Sequence, residues 1–142
     1  MISPDYILGL IDGEGSFTVY VRDPASVEQR KRRALAEPRF YIKLIAKDKD
    51  ILWQLKNFFG CGNIYFQKDN RLNHQDCYRY EVGHRKDLKE IIIPFFKKHQ
   101  PKLVSRQKDF TIFCQLMELI ESKKHLTKAG LREMYSIKQE MH

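Results

Sequence analysis

The stretch Ile7-Leu8-Gly9-Leu10-Ile11-Asp12-Gly13-Glu14-Gly15 leaves few choices to the rest of the chain. It opens as a helix: Ser3 suits the N-cap, Pro4 the first helical position, and Asp5 complements the positive end of the dipole. The next turns are apolar nearly all round, so this helix has to be covered on more than one side. Gly9 and Gly13 are spaced i, i+4 and share one face, where their missing side chains let another backbone come close. Each costs a short helix about 1 kcal/mol relative to alanine, and close approach is the compensation. The helix then ends on Asp12 and Glu14, where the macrodipole disfavours negative charge, so a carboxylate placed there calls for a cation beside it. An isolated G-x-G would mean no more than a helix end, a turn and a strand.

Beyond Gly15 the chain alternates strictly. Phe17, Val19 and Val21 lie on one face of a strand, and Ser16, Thr18, Tyr20 and Arg22 on the other. Residues 23–38 form a polar loop that carries the basic run Arg30-Lys31-Arg32-Arg33. A second strand, Arg39 to Ile45, repeats the chemistry of the first, with Phe40, Ile42 and Leu44 inward and Arg39, Tyr41 and Lys43 outward. Asp48 to Phe59 is an amphipathic helix with Ile51, Leu52, Leu55, Phe58 and Phe59 as its core stripe, stopped by Gly60-Cys61-Gly62. Two shorter strands, Ile64 to Lys68 and Tyr78 to Val82, turn Tyr65, Gln67, Arg79 and Glu81 outward. A helix from Lys86 to Phe96 breaks at Pro94, a long one runs from Leu103 to Ser122, and Thr127 caps a last one through Ile137. The order α-β-β-α-β-β-α gives an α+β fold whose four-stranded antiparallel sheet is apolar on the helix side and basic, polar and aromatic on the other.

Bulk properties narrow the partner. Lys and Arg exceed Asp and Glu by 26 to 18, a net +8, which favours a polyanion: nucleic acid first, an anionic membrane second. No run is apolar enough to span a bilayer, and no helix joins a broad cationic face to an apolar one, so no membrane is expected as partner. With no signal peptide expected ahead of the first helix, and Cys61, Cys77 and Cys114 scattered without a CxxC, the chain reads as intracellular and reduced. Its length of 142 residues suits one domain over residues 1–142. A zinc site from Cys61, His74 and Cys77 fits no standard spacing.

With these elements in place, the opening stretch closely resembles the signature of LAGLIDADG homing endonucleases. Ile7 and Leu8 stand at its first two places, Leu10-Ile11-Asp12 match directly, Gly13-Glu14-Gly15 is a common ending, and Ser16-Phe17 also fits the family. The resemblance covers nearly the whole chain and implies that family's saddle-shaped four-stranded sheet. It implies a site-specific DNA endonuclease, intron-encoded, that makes a double-strand break in a long pseudo-palindromic target. Glu14, in place of the eponymous Asp, would hold a divalent metal together with the Gly13 backbone carbonyl. The metal would be Mg²⁺, with Mn²⁺ substituting and Ca²⁺ binding without supporting cleavage. A basic group near the start of the long helix falls at Arg106, with Lys102 and Lys108 as rivals, and Lys47 stands where other members place a polar residue that orients solvent.

The motif occurs once, and two strands of a duplex need two acids. The resemblance therefore implies a homodimer that packs Tyr6, Gly9, Asp12 and Gly13 across a two-fold axis and reads a near-palindrome. A two-stranded ribbon fits the major groove, where Arg prefers guanine and Gln prefers adenine. Arg22, Arg39, Gln67 and Arg79 are thus expected base readers, and Ser16, Thr18, Tyr20, Tyr41, Lys43, Tyr65 and Glu81 share their face. Double-stranded DNA is the expected partner and no small-molecule substrate is expected; the place of action is an organelle or a prokaryotic cytoplasm. The alternative is a non-cutting intron-splicing maturase or DNA-binding regulator, which would have little use for an acid beside phosphates.

Overall fold

In the computed structural model residues 2–25, 35–72 and 74–142 are described. The run Arg30-Lys31-Arg32-Arg33, expected to contact phosphates, lies outside the described residues.

Helix α1 (Pro4–Glu14) starts as its sequence dictates: the Ser3 hydroxyl accepts the Tyr6 N–H at 3.1 Å. It passes directly into strand β1 (Gly15–Val21). A Cβ on Gly15 would stand 2.8 Å from Ile11 Cγ2 and 2.9 Å from the Ile11 carbonyl oxygen, so only glycine allows a helix to become a strand without a linker. Strand β2 (Ala36–Ile45) pairs antiparallel with β1, from Gly15 opposite Ile42 to Val21 opposite Ala36. It begins earlier than the expected Arg39, despite Pro38. Strand β4 (Cys77–Val82) ends opposite Phe40, so Pro38 has β1 on one side only and its missing N–H deprives no ladder. Strand β3 (Asn63–Gln67) completes a sheet of order β1-β2-β4-β3 with every pair antiparallel.

Helix α2 (Lys49–Phe59) ends at Gly60, whose φ of 71° is left-handed and whose N–H bonds the Lys56 carbonyl at 2.8 Å. Of its expected stripe, Leu52, Leu55 and Phe59 are buried; Phe58 is instead 40% exposed, its ring edge-on to Phe59 and Phe95. Pro94 does not break the next helical stretch. α3 (Arg85–Asp87), a π-turn (Leu88–Ile92) and α4 (Ile93–Lys98) run on without interruption. The π-turn, in which the Ile93 N–H bonds the Leu88 carbonyl, shifts the bonding pattern just where Pro94 has no N–H to give. α5 (Val104–Glu121) and α6 (Lys128–Lys138) close the chain, the latter capped by Thr127 Oγ1 on the Gly130 N–H at 3.0 Å. No described helix is long and apolar enough to cross a membrane.

The helices cover the apolar side of the sheet. Phe17 is fully buried at its centre, its ring centroid 5.1–5.5 Å from those of Phe40, Phe96, Phe110 and Phe113. Truncating it to alanine would cost about 3–5 kcal/mol. Because side chains alternate along a strand, fixing Phe17, Phe40, Ile42, Tyr80 and Val82 in the core fixes every intervening residue on the opposite, uncovered face.

Candidate functional site

Two polar regions result, one at the C-terminal end of α1 and one on the open face of the sheet. At the first, the Asp12 carboxylate reaches forward to the segment that starts α5. It accepts the Lys102 N–H at 3.1 Å on each oxygen and the Leu103 N–H at 3.4 Å. Leu103 is the N-cap of α5 and has no capping side chain of its own, so an acid from another helix meets the positive end of this one. In return, Arg106 donates from Nε and Nη2 to the Asp12 carbonyl, at 3.4 and 3.2 Å. A guanidinium thus sits at the negative end of α1, the cation that its terminal acids called for. Of the rivals, Lys102 takes part through its backbone and both Lys102 and Lys108 have exposed side chains.

Glu14 is exposed at the last position of α1, next to exposed Gly13. Lys47 is exposed in the 3₁₀ turn Ala46–Asp48 beyond β2, at the same end of the sheet, since Gly15 pairs with Ile42. Among the described residues no three His, Cys, Asp or Glu side chains gather into a cage. An exposed carboxylate beside helix-terminal carbonyls is nevertheless a fitting donor set for a hard divalent cation. Mg²⁺ takes one or two carboxylates and fills its remaining positions with water and phosphate oxygen. Gly9, Gly13 and Tyr6 are exposed too, and a Cβ built on either glycine would meet nothing within 4 Å.

On the sheet, the register sets the outward residues in rows. Ser16, Tyr41, Glu81 and Asn63 form one; Lys43, Arg79 and Tyr65 another; Thr18 stands opposite Arg39, Tyr20 opposite Glu37, and Gln67 opposite Cys77. All the outward strand residues expected from the sequence between Ser16 and Glu81 therefore share one face. Arg22 comes directly after β1, its N–H bonded to the Leu35 carbonyl at 2.9 Å. Arg39 and Arg79 are paired with acids on this face: Arg39 Nη1 to Glu81 at 3.2 Å, Arg39 Nη2 to Glu37 at 3.2 Å, Arg79 Nη2 to Glu81 at 3.0 Å. The guanidinium carbon of Arg79 lies 3.6 Å from the centroid of the Tyr41 ring, a cation–π contact. Partial burial opposes the charge on Arg39, but the carboxylates of Glu81 and Glu37 outweigh it and raise its pKa further.

Among the described residues, several on this face were absent from the sequence-based set, Glu37, Asn63, Cys77 and Lys138 among them. Glu37 and Asn63 fall in step with the alternation, each just before the strand starts expected at Arg39 and Ile64. Lys138, from α6, donates to Thr18 Oγ1 at 3.2 Å, and burial pushes its pKa down although Asp109 opposes the shift. No periodicity in β1 could have announced a lysine so far along the chain.

Known proteins match this architecture along its length. The family model described as LAGLIDADG endonuclease covers residues 7–117. "Probable intron-encoded endonuclease 3" of Neurospora crassa is 32% identical over 145 residues, which span 99% of this chain and 25% of that protein. The chain thus spans about a quarter of the length of that curated relative. Among solved structures, the homing endonuclease I-TnaI superposes with a TM-score of 0.80 at 34% identity, covering 99% of this chain and 88% of that one. I-SmaMI bound to uncleaved DNA target in the presence of calcium ions gives 0.81 at 31% identity, over 97% of this chain and 44% of its own. With its motif, its sheet and most of its length accounted for in this way, the chain belongs to the LAGLIDADG endonuclease family.

Proposed function

We propose that this protein is a site-specific DNA endonuclease that works as a homodimer and hydrolyses one phosphodiester per subunit with a divalent metal, Mg²⁺ foremost. The observation that carries this reading is contiguity: the exposed Glu14 runs directly into β1, whose outward residues open the polar sheet face. A duplex laid along that face would bring its backbone to the acid.

Each residue then has a task. Glu14 and the Gly13 carbonyl would hold the metal. Bound there, the ion supplies a hydroxide nucleophile at neutral pH and neutralises charge on the leaving oxygen. Arg106, anchored on the Asp12 carbonyl, keeps positive charge close to where charge on the phosphate builds up. Lys47, at the same end of the sheet, can hold a water or a phosphate oxygen. Arg39, Arg79, Gln67 and their neighbours would read base edges. The place of action is wherever the target DNA lies, inside an organelle or a prokaryotic cytoplasm.

The unobstructed Gly9/Gly13 face supports the dimer, because two such helices can pack backbone to backbone only where side chains are absent. In light scattering with cognate DNA, the wild-type mass should be that of two chains, and Gly9→Leu should leave monomers or aggregate. The function itself is tested by incubating the protein and Mg²⁺ with a randomised duplex library and sequencing the ends. Cuts confined to one near-palindromic family are expected. Binding without any cut would favour a splicing factor or regulator on the same scaffold.

A further inference from the structure

On a face meant to meet phosphates, the acids are the anomaly. Glu81 has a side chain only 14% exposed, with Oε2 3.2 Å from Arg39 Nη1 and Oε1 3.0 Å from Arg79 Nη2. Glu37 closes the group at 3.2 Å from Arg39 Nη2. Two guanidinium charges thus meet two carboxylate charges, and the cluster is formally neutral in an otherwise basic protein. Attraction for any DNA, whatever its sequence, comes from cations that displace condensed counterions. Paired in this way, Arg39 and Arg79 contribute little to it.

Stability alone does not account for the arrangement. Ion pairs as open as that of Arg39, whose side chain is 42% exposed, stabilise a fold only weakly. Meanwhile a carboxylate on this face repels the polyanion. What the pairs do achieve is orientation. Arg39 is held from two sides, and Arg79 is held by Glu81 at one end and by the Tyr41 ring against its plane. Each guanidinium keeps further N–H groups, since it has five donors and the carboxylates engage few of them.

We propose that Glu81, seconded by Glu37, is a specificity-determining positioning residue that keeps Arg39 and Arg79 from binding any phosphate and presents them, already oriented, to base edges. This rests on the DNA-cutting function proposed above. A cognate site offers guanine acceptors to the N–H groups that remain and leaves the ion pairs intact. A non-cognate site offers none, and recruiting the same arginines for its phosphates would strand a carboxylate against the DNA. Discrimination then comes from an element that penalises the wrong partner, beside those that favour the right one.

The test compares wild type, Glu81→Gln and Glu37→Gln by fluorescence anisotropy in Ca²⁺. Each is titrated with the selected duplex and with a scrambled one across a salt series. Glu81→Gln should bind the scrambled duplex about fivefold more tightly. Its plot of log affinity against log salt should steepen by about 1–2. The selected duplex should change less, so the ratio between the two narrows. Glu37→Gln, which touches Arg39 alone, should move the same way by less. If Glu81→Gln fails to fold, the more exposed Glu37 decides by itself. Unchanged scrambled-duplex affinity and salt slope in the folded variants overturn the inference, as does equal weakening on both duplexes. A wild type that distinguishes no duplex sinks the DNA reading along with it; a selective wild type with unaltered variants sinks this inference alone.

Discussion

The end of α1 and the open face of the sheet are both polar surfaces raised on one aromatic core, yet they are tied down differently. At the end of α1 the ties run between side chain and backbone: Asp12 to the N–H groups of Lys102 and Leu103, Arg106 to the carbonyl of Asp12. Such bonds fix where the main chain goes. On the sheet the ties run between side chains, Arg39 to Glu37 and Glu81, Arg79 to Glu81 and Tyr41. There the backbone is already fixed by the ladder, and the side chains rather than the main chain carry the ties. One region is built to hold a geometry and the other to be rewritten, which suits fixed chemistry joined to adaptable recognition.

The sharpest break in that contrast is Glu14→Gln. It keeps size and hydrogen bonding but removes the charge that would recruit a metal, so cleavage in Mg²⁺ should fall by about a thousandfold or more. Binding in Ca²⁺, monitored by gel shift, should be kept or tightened, because a carboxylate near phosphates is unfavourable until a cation offsets it. A variant that still cuts at close to the wild-type rate would remove the end of α1 from the chemistry.

On the sheet the expected effect is smaller and of another kind. Arg39→Ala or Arg79→Ala should relax base preference at one symmetric pair of positions, by about 1–3 kcal/mol for a bidentate contact. The cutting rate on the best remaining site should change little. Identical sequence logos for both variants and wild type would mean that DNA lies on some other surface.

Asp12 probes the first region without touching the acid. Asp12→Ala removes the side chain that caps the start of α5, so thermal unfolding should show a loss of about 1 kcal/mol, the usual worth of a helix cap. Cleavage should fall further than binding, because the Asp12 cap fixes the start of α5, from which Arg106 reaches the Asp12 carbonyl. Asp12→Asn keeps an acceptor and should lie between. Equal losses of cutting and binding would make the junction merely structural.

How much of this was legible beforehand depends on the range of each signal. Local alternation placed Phe17, Phe40 and Ile42 inward and Thr18, Arg39 and Arg79 outward, because a strand's period is set by its own backbone. The helix start at Ser3 and stop at Gly60 were legible for the same reason. The expected break at Pro94 is absent because a π-turn accommodates the proline, and β2 extends past the expected Arg39 through Pro38 because no β4 residue pairs there. Phe58 fell on the right helical stripe but at its margin, where Phe95 covers it only in part. The bond between Lys138 and Thr18, and that between Asp12 and Lys102, join residues far apart in the chain, and no window over the sequence contains both partners. The resemblance to a family singled out Glu14 and Arg106 as candidates, but the mutual capping of α1 and α5 joins residues too far apart in the chain for any local pattern to announce it.

A last prediction concerns the helical layer, away from both regions, and so tests whether they are insulated from it. His125 is 7% exposed on the 3₁₀ turn Lys124–Leu126 between α5 and α6, and its Nδ1 is buried without a hydrogen-bond partner among the described residues. Burial, aided by the charge of Arg85, pushes its pKa below the ordinary 6.5. The folded chain therefore binds less proton than the unfolded chain at this site. The resulting stability is fully present above about pH 6.5 and is lost as the pH falls through the lower, folded-state value. Replacing His125 by Gln removes the titrating group. Between about pH 7.5 and about pH 5.5 the melting temperature of wild type should fall by about 1–2 °C more than that of the variant. Over the same range the two proteins should share one pH profile for DNA binding, since neither Glu14 nor the arginines of the sheet contact His125. Parallel melting curves would show that the turn is open enough to water for His125 to take up its proton without loss, and divergent binding profiles would show that the helical layer reaches through to the DNA face.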